Sequence, residues 1–350
     1  MAKNIINTML KKQIFNLTNG LKFLIITLLL CSTLLGKAYA YKPTEVNYEE
    51  LKDINKIPLE EKIGQMLMVG FRGYTINKEV INYISKYHIG GVILFDESVN
   101  KVRTPNIRNK EQLQKLTYEL QKISKAPLFI AVDNEGGNVT RLKEKYGFFV
   151  LPSHEALAKK RASTVYKDSK KMAEELKEVG INVNFAPVVD LNINANNPII
   201  GQLGRSFAKD SKIVNKMAKS YIAAQNSVGI ITSIKHFPGH GSSAGDSHLG
   251  MVDVSNTWQP SELIPYEYLI KKGGYKQMVM VAHVINHKLD KNNPATLSKA
   301  VMTDLLRKKL GFKGVIVTDS LDMNALYDHY SYKDILVKAI NGGADILLNG

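Results

Sequence analysis

Two short stretches carry residue types able to do chemistry on an oxygen-linked substrate. The first is Lys235-His236-Phe237-Pro238-Gly239-His240-Gly241-Ser242-Ser243-Ala244-Gly245-Asp246-Ser247-His248, which directly follows an apolar run from Val228 to Ile234. Asp246 and His248 are separated by one residue, and in an extended loop side chains so spaced point to the same side. The carboxylate then accepts from one imidazole nitrogen and turns the other toward a leaving group. An imidazole titrates ordinarily near about 6.5, so such a pair can protonate a leaving oxygen near neutral pH and afterwards deprotonate water. On spacing alone a surface turn is the other, commoner reading. The second stretch is Asp319-Ser320-Leu321-Asp322-Met323, which ends another apolar run. A helix starting there would favour an ionised Asp319, giving either a carboxylate nucleophile or a helix N-cap. Asp322 reads as the cap or a first-turn acid.

Further polar groups stand at the ends of other apolar runs. They are Asp133-Asn134-Glu135-Gly136-Gly137-Asn138-Val139-Thr140-Arg141, then Pro187-Val188-Val189-Asp190, a loop with Arg205-Ser206-Phe207, and His283. Carboxylates accept from sugar hydroxyls, and Arg and Lys donate to hydroxyl, acetamido or carboxylate oxygens. Collected round one mouth, they suit a polyhydroxylated, acylated ligand.

The elements that must gather them are legible as an alternation. Strand-like runs lie at 66–70, 91–95, 128–133, 183–186, 228–234 (the fifth, ending at Lys235), 278–281, 314–319 and 345–348. Helical patterns fall between them, at 78–87, 109–124, within 164–179, at 211–226, 261–272, 298–310 (with Ser298 as its cap) and 332–341. Continuous rather than alternating apolar runs mean strands buried on both faces, and helical connections make the sheet parallel. Eight such units predict an α/β fold of the (β/α)8 TIM-barrel type, with a doubly wound open sheet as the alternative. Barrel chemistry sits at the C-terminal strand ends, where these polar groups fall. The sequence stops at Gly350 with no eighth helix. The expectation is therefore a catalytic domain over 41–350 whose final outer helix is missing, as in a C-terminal truncation, with apolar surface left bare on strands eight and one.

Taken together these motifs resemble glycoside hydrolase family 3, in particular its single-domain bacterial β-N-acetylglucosaminidases. The resemblance is carried by Lys235 to Gly241, by Asp246-Ser247-His248, by Gly311-Phe312-Lys313-Gly314-Val315-Ile316-Val317-Thr318-Asp319, by Asp133-x-Glu135-Gly136-Gly137 and by Phe185 to Asp190. It implies a retaining double displacement on a non-reducing terminal β-linked GlcNAc of a muropeptide or related glycan. Asp319 would be the nucleophile, and His248, oriented by Asp246, the acid and then the base. It also implies sugar binding by Asp133, Arg141, Arg205, Lys235 and His236, with neither metal nor organic cofactor. The chain departs from the family at Asn138, where many members have Arg, and in a longer Gly201–Arg205 loop.

The remaining composition narrows the partners. Residues 1–40 read as a secretory signal peptide: lysines before and at the start of the apolar run from Leu21 to Leu35, then the small-x-small pattern Ala38-Tyr39-Ala40. An exported protein, periplasmic or extracellular, is expected, with a retained or lipid anchor as the minority reading. The run is short for a membrane span. Removing the leader's five lysines lowers the net charge of +15 to about +10. No arginine-rich helix or aromatic-interleaved basic strip is present, so nucleic acid is not expected as a partner. Cys31 is the only cysteine, which excludes disulfides, thiol nucleophiles and Cys-ligated zinc from 41–350. A monomer is expected. Three rivals remain: a β-glucosidase or β-xylosidase of the same family, a metal hydrolase using His236, His240 and His248, and a non-catalytic glycan-binding or inactive truncated protein. The helical zinc pattern does not apply to the second, because Pro238 and Gly239 exclude a helix between His236 and His240.

Overall fold

The computed structural model describes residues 54–97, 104–273 and 276–350. The proposed leader lies outside the described residues. Eight parallel strands form one sheet: β1 (Leu67–Gly70), β2 (Gly91–Ile93), β3 (Phe129–Val132), β4 (Val183–Asn184), β5 (Ile231–Phe237), β6 (Gln277–Val281), β7 (Ile316–Thr318) and β8 (Leu347–Asn349). Each pairs with its sequence neighbours, and β8 pairs with β1 in the register Leu67↔Leu347. The ring closes between β7 and β8 through a Val317↔Ile346 bridge and a 3.0 Å bond from the Thr318 amide to the Ile346 carbonyl. It is the (β/α)8 barrel.

Strand side chains alternate between two apolar environments, which is why the runs are continuous. Met68, Ile93, Met278, Met280, Val317 and Leu348 fill the barrel interior. Val279, Val281 and Leu347 point outward into the layer under the helices. The helices are α1 (Leu59–Gln65), α2 (Lys78–Ser85), α3 (Lys110–Ile123), α4 (His154–Ala158), α5 (Ala162–Glu178), α6 (Ser211–Ser227), α7 (Ile264–Lys272), α8 (Ala300–Lys309), α9 (Asn324–Tyr327) and α10 (Tyr332–Gly342). Helix α3 buries Leu113, Leu116, Thr117 and Leu120, one stripe at helical spacing. Its start is set by Asn109, whose side chain accepts from the Gln112 amide.

Several expectations need correction. Strand β5 runs through Lys235 and His236 to Phe237, because Phe237 pairs with Val281 across a register shift after Ile234. Helix α1 precedes β1, ahead of the first run read as an element in the sequence. Ser298 accepts from the Val301 amide as a cap should, but α8 is wound as a π-helix. Strand β8 is not bare, since Leu347 is 3% exposed and packs in the same outer layer as Ile335, Ala339 and Ala344.

Candidate active site

Every polar residue singled out above sits at or just beyond the C-terminal end of a barrel strand or on a loop leaving it. The loop after β3 is a tight antiparallel ladder, Asn134–Gly136 against Val139–Thr140. Gly136 (φ +107°) and Gly137 (φ +59°) make its turn, and a Cβ on Gly136 would lie 2.5 Å from the Pro152 carbonyl oxygen. Asn134 accepts from the Arg141 and Leu142 amides at 3.0 Å and exchanges hydrogen bonds with the Asn184 side chain. Asp133, Glu135 and Arg141 are thereby carried on one braced hairpin.

Glu135, fully buried, is the hub of an ion-pair cluster that sequence reasoning left without a role. Arg205 grips it in a fork, Nε to Oε2 at 2.9 Å and Nη2 to Oε1 at 2.7 Å, while Lys235 Nζ lies 2.8 Å from Glu135 Oε1 and donates to Asp133 Oδ1 at 2.8 Å. Burial would raise the Glu135 pKa, but Arg205 and Lys235 outweigh it and hold it well below the carboxylate range. Burial would lower Lys235, and Asp133 and Glu135 outweigh that and raise it. The signal that could have found Glu135 is chain geometry: two residues beyond Asp133 on a strand-like hairpin, it shares that residue's side.

Asp190 is the second buried anchor. It accepts from the amides of His236 (3.1 Å) and His240 (2.8 Å), and its Oδ2 lies 2.7 Å from His236 Nδ1. His236 Nε2 faces Arg205 Nη2 at 3.3 Å, so both ring nitrogens of His236 are engaged by protein. Burial would raise the Asp190 pKa, yet His236 and His240 outweigh it and keep it lowered. Gly241 is required where the loop crosses the segment after β4, because a Cβ there would lie 1.7 Å from the Leu191 carbonyl oxygen.

The two proposed chemical groups stand differently. Asp319 follows β7, its amide donating to the Val281 carbonyl at 3.0 Å and its Oδ1 accepting from the Ser320 amide at 2.8 Å. It caps no helix, since α9 begins at Asn324 after Met323, and Asp322 instead accepts from the Ser320 hydroxyl at 2.6 Å. Burial would raise the Asp319 carboxyl, but the imidazoles of His283, His236 and His248 and the Ser320 amide lower it to about 2. Asp246 Oδ1 takes both the His248 amide (2.8 Å) and its Nδ1 (2.7 Å). That fixes Nδ1–H and leaves Nε2 to accept or give a proton; the His248 side chain is 59% exposed.

Substrate-facing surface is divided unevenly among the sugar-binding candidates. Arg205 and His236 are buried and committed to protein partners. Asp133 is 19% exposed, and Arg141, stacked over Phe95, is 28% exposed. Lys235 spends two donors on carboxylates and has a third for a hydroxyl. An ionised carboxylate, a carboxylate-oriented imidazole and a bank of fixed donors and acceptors can divide the displacement of an oxygen leaving group between them.

The comparisons with known proteins agree with the barrel fold. The Glycosyl hydrolase family 3 N terminal domain matches residues 58–350. A beta-hexosaminidase A from Pseudoalteromonas piscicida is 35% identical over 84% of this chain and 54% of its own length. A beta-hexosaminidase from Haemophilus influenzae is 34% identical over 81% of this chain and 78% of its own length. Among solved structures, a glycoside hydrolase family 3 beta-N-acetylglucosaminidase from Paenibacillus sp. superposes with a TM-score of 0.77 at 36% identity, covering 84% of this chain and 55% of that one. The chain thus spans about half the length of two of these three proteins. With a family match running from Pro58 to its last residue, the chain belongs to glycosyl hydrolase family 3.

Proposed function

We propose that the chain is a retaining exo-β-N-acetylglucosaminidase acting on GlcNAc-terminated glycans such as muropeptides. The observation that carries this is the pairing of a partly enclosed carboxylate held at about 2, Asp319, with the Asp246–His248 pair on the loop after β5. Asp319 attacks the anomeric carbon, the glycosidic bond breaks, and His248 Nε2 gives its proton to the departing oxygen. In the second step His248 takes a proton from water, which displaces Asp319 and restores the anomeric configuration. This replaces one of the two carboxylates usual in retaining glycosidases by an imidazole. Asp133, Arg141 and Lys235 hold the terminal sugar, with Arg205 and His236 supporting them from below. The names of the relatives support the acetamido sugar as substrate. Residues 41–350 form the catalytic domain of an exported monomer, and residues 1–40 its cleaved leader.

The test compares hydrolysis of the nitrophenyl β-N-acetylglucosaminide with that of the β-glucoside, using Asp319→Ala as control. Preference for the acetamido sugar, abolished in the control, is expected. Preference for the glucoside would move the chain to the glucosidase branch of the family, and no turnover by folded protein would favour a binding role. N-terminal sequencing of protein recovered from the envelope or medium checks the leader, with Tyr41 as the expected first residue.

A further inference from the structure

His283 ends the β6 side of the same rim, fully buried, and beyond its effect on the Asp319 carboxyl has no role above. Its ring is held at both nitrogens. Nε2 lies 2.8 Å from the Ser320 carbonyl oxygen, and Nδ1 lies 2.8 Å from Thr296 Oγ1. A carbonyl oxygen can only accept, so the proton is on Nε2. Thr296 is itself pinned, its hydroxyl 2.6 Å from the Ala282 carbonyl oxygen and 3.1 Å from that of Val281. The Val281 carbonyl also receives the Asp319 amide. The chain on either side of Asp319 is therefore tied to the end of β6 twice, once through its own N–H and once through the Ser320 carbonyl. Between those ties the Ser320 amide donates to Asp319 Oδ1. A rotation of the Ser320 residue would move that amide and with it the carboxylate.

We propose that His283, braced by Thr296, is a positioning residue that fixes the Asp319–Ser320 segment and so aims the Asp319 carboxylate. This rests on the reading of Asp319 as nucleophile. The Nε2–H that the Ser320 carbonyl requires is present in the imidazolium and in one of the two neutral tautomers, and Nδ1 meets the Thr296 hydroxyl in both. A structural histidine that only fills space would need neither a proton held on Nε2 nor a bond to the residue following Asp319.

The experiment uses the full chain with His283→Ala and His283→Gln, the amide of Gln keeping a donor for the Ser320 carbonyl. His283→Ala should lower kcat on the nitrophenyl acetamido sugar about 10²-fold, the loss expected when a reacting group is misplaced by about an ångström. KM should stay within about twofold, since sugar binding is made elsewhere. Melting should remain cooperative, and His283→Gln should recover about tenfold of the lost rate. Wild-type kcat in the Ala variant, or parallel loss of kcat and folding that Gln does not relieve, overturns the inference. If the wild type hydrolyses nothing, the functional reading fails. Long-range ¹⁵N–¹H NMR of the histidine rings then still decides the positioning role. An exchange-protected Nε2–H on His283 supports the bond to Ser320, and an Nδ1–H tautomer overturns it.

Discussion

Asp319 and His248 occupy opposite physical regimes, and their variants should fail differently. Asp319 is partly enclosed and ionised beside three imidazoles and the Ser320 amide, whereas the His248 imidazole is solvent-exposed and oriented by one carboxylate. A proton donor matters in proportion to how badly the leaving oxygen needs it. His248→Ala and Asp246→Asn should therefore cost about 10²–10⁴-fold on a sugar leaving group, the usual span for general acid catalysis, and far less on an acidic phenol. Rates across a series of aryl N-acetylglucosaminides check this: the variants should show a steeper dependence on phenol pKa, and an equal loss on every substrate would rule out an acid role. Glu135 is a different case, because its removal strands two buried cations. Glu135→Gln should cost about 3–5 kcal/mol, as breaking a buried pair does, measured by denaturant unfolding at neutral pH. Its folded pKa is depressed, so the stability it contributes is present above its unfolded value and is lost as pH falls through the folded one. The gap between wild type and variant should therefore narrow in acid. A neutral-pH loss well under about 1 kcal/mol, the scale of an exposed pair, would show that the cluster is not tightly closed.

Elements explain what the sequence made legible and what it hid. Strands such as Gln277–Val281 are readable because both faces meet apolar neighbours. The helix stripe of α3 and the cap at Ser298 are equally local signals, while Asn109, placed inside that helix by the sequence pattern, caps it instead. Hidden features depend on partners distant in sequence. Strand β5 extends to Phe237 because of Val281, and Asp190 becomes an anchor only where the segment after β4 meets the loop after β5. Glu262 is another such case, invisible until the turn Pro260–Leu263 packs beneath that loop. Its carboxylate accepts from the Ser242 and Gln259 amides, and Gly239 leaves room for it. Burial raises it to about 7 with those amides only partly offsetting. The folded state therefore holds a proton that the unfolded chain releases above its ordinary value of 4.5. Stability contributed below that value is lost as pH rises to about 7, by about 3 kcal/mol in total. Glu262→Gln should remove this slope, leaving the variant to melt above wild type at pH 8 by more than it does at pH 5. Melting curves at the two pH values check it, and an equal difference at both would mean that Glu262 is ionised throughout.

At the scale of the whole barrel, frame and rim are held by separate interactions. Residues of the interior such as Met68, Phe185, Met280 and Leu348 form one apolar layer inside the ring. The rim above is fastened by its own bonds, Asp190 to the His236 and His240 amides and Asn134 to the loop after β3. Phe185 is the sharpest probe of that division. It is completely buried in the interior layer, immediately after β4 and five residues before Asp190, and its amide donates to the Val132 carbonyl at 2.9 Å. Replacing its ring by a methyl group leaves the interior a cavity and should cost about 3–5 kcal/mol. In a barrel of this size that is a fall of roughly 6–15 °C in Tm. The backbone bond to Val132 survives the substitution, as do the Asp190 contacts, so the positions of the rim groups should survive as well. Measured well below the lowered Tm, Phe185→Ala should bind the acetamido sugar with KM within about twofold of wild type. A rise in KM tracking the loss of stability would instead mean that interior packing sets the rim geometry, and that the site and its frame form a single cooperative unit.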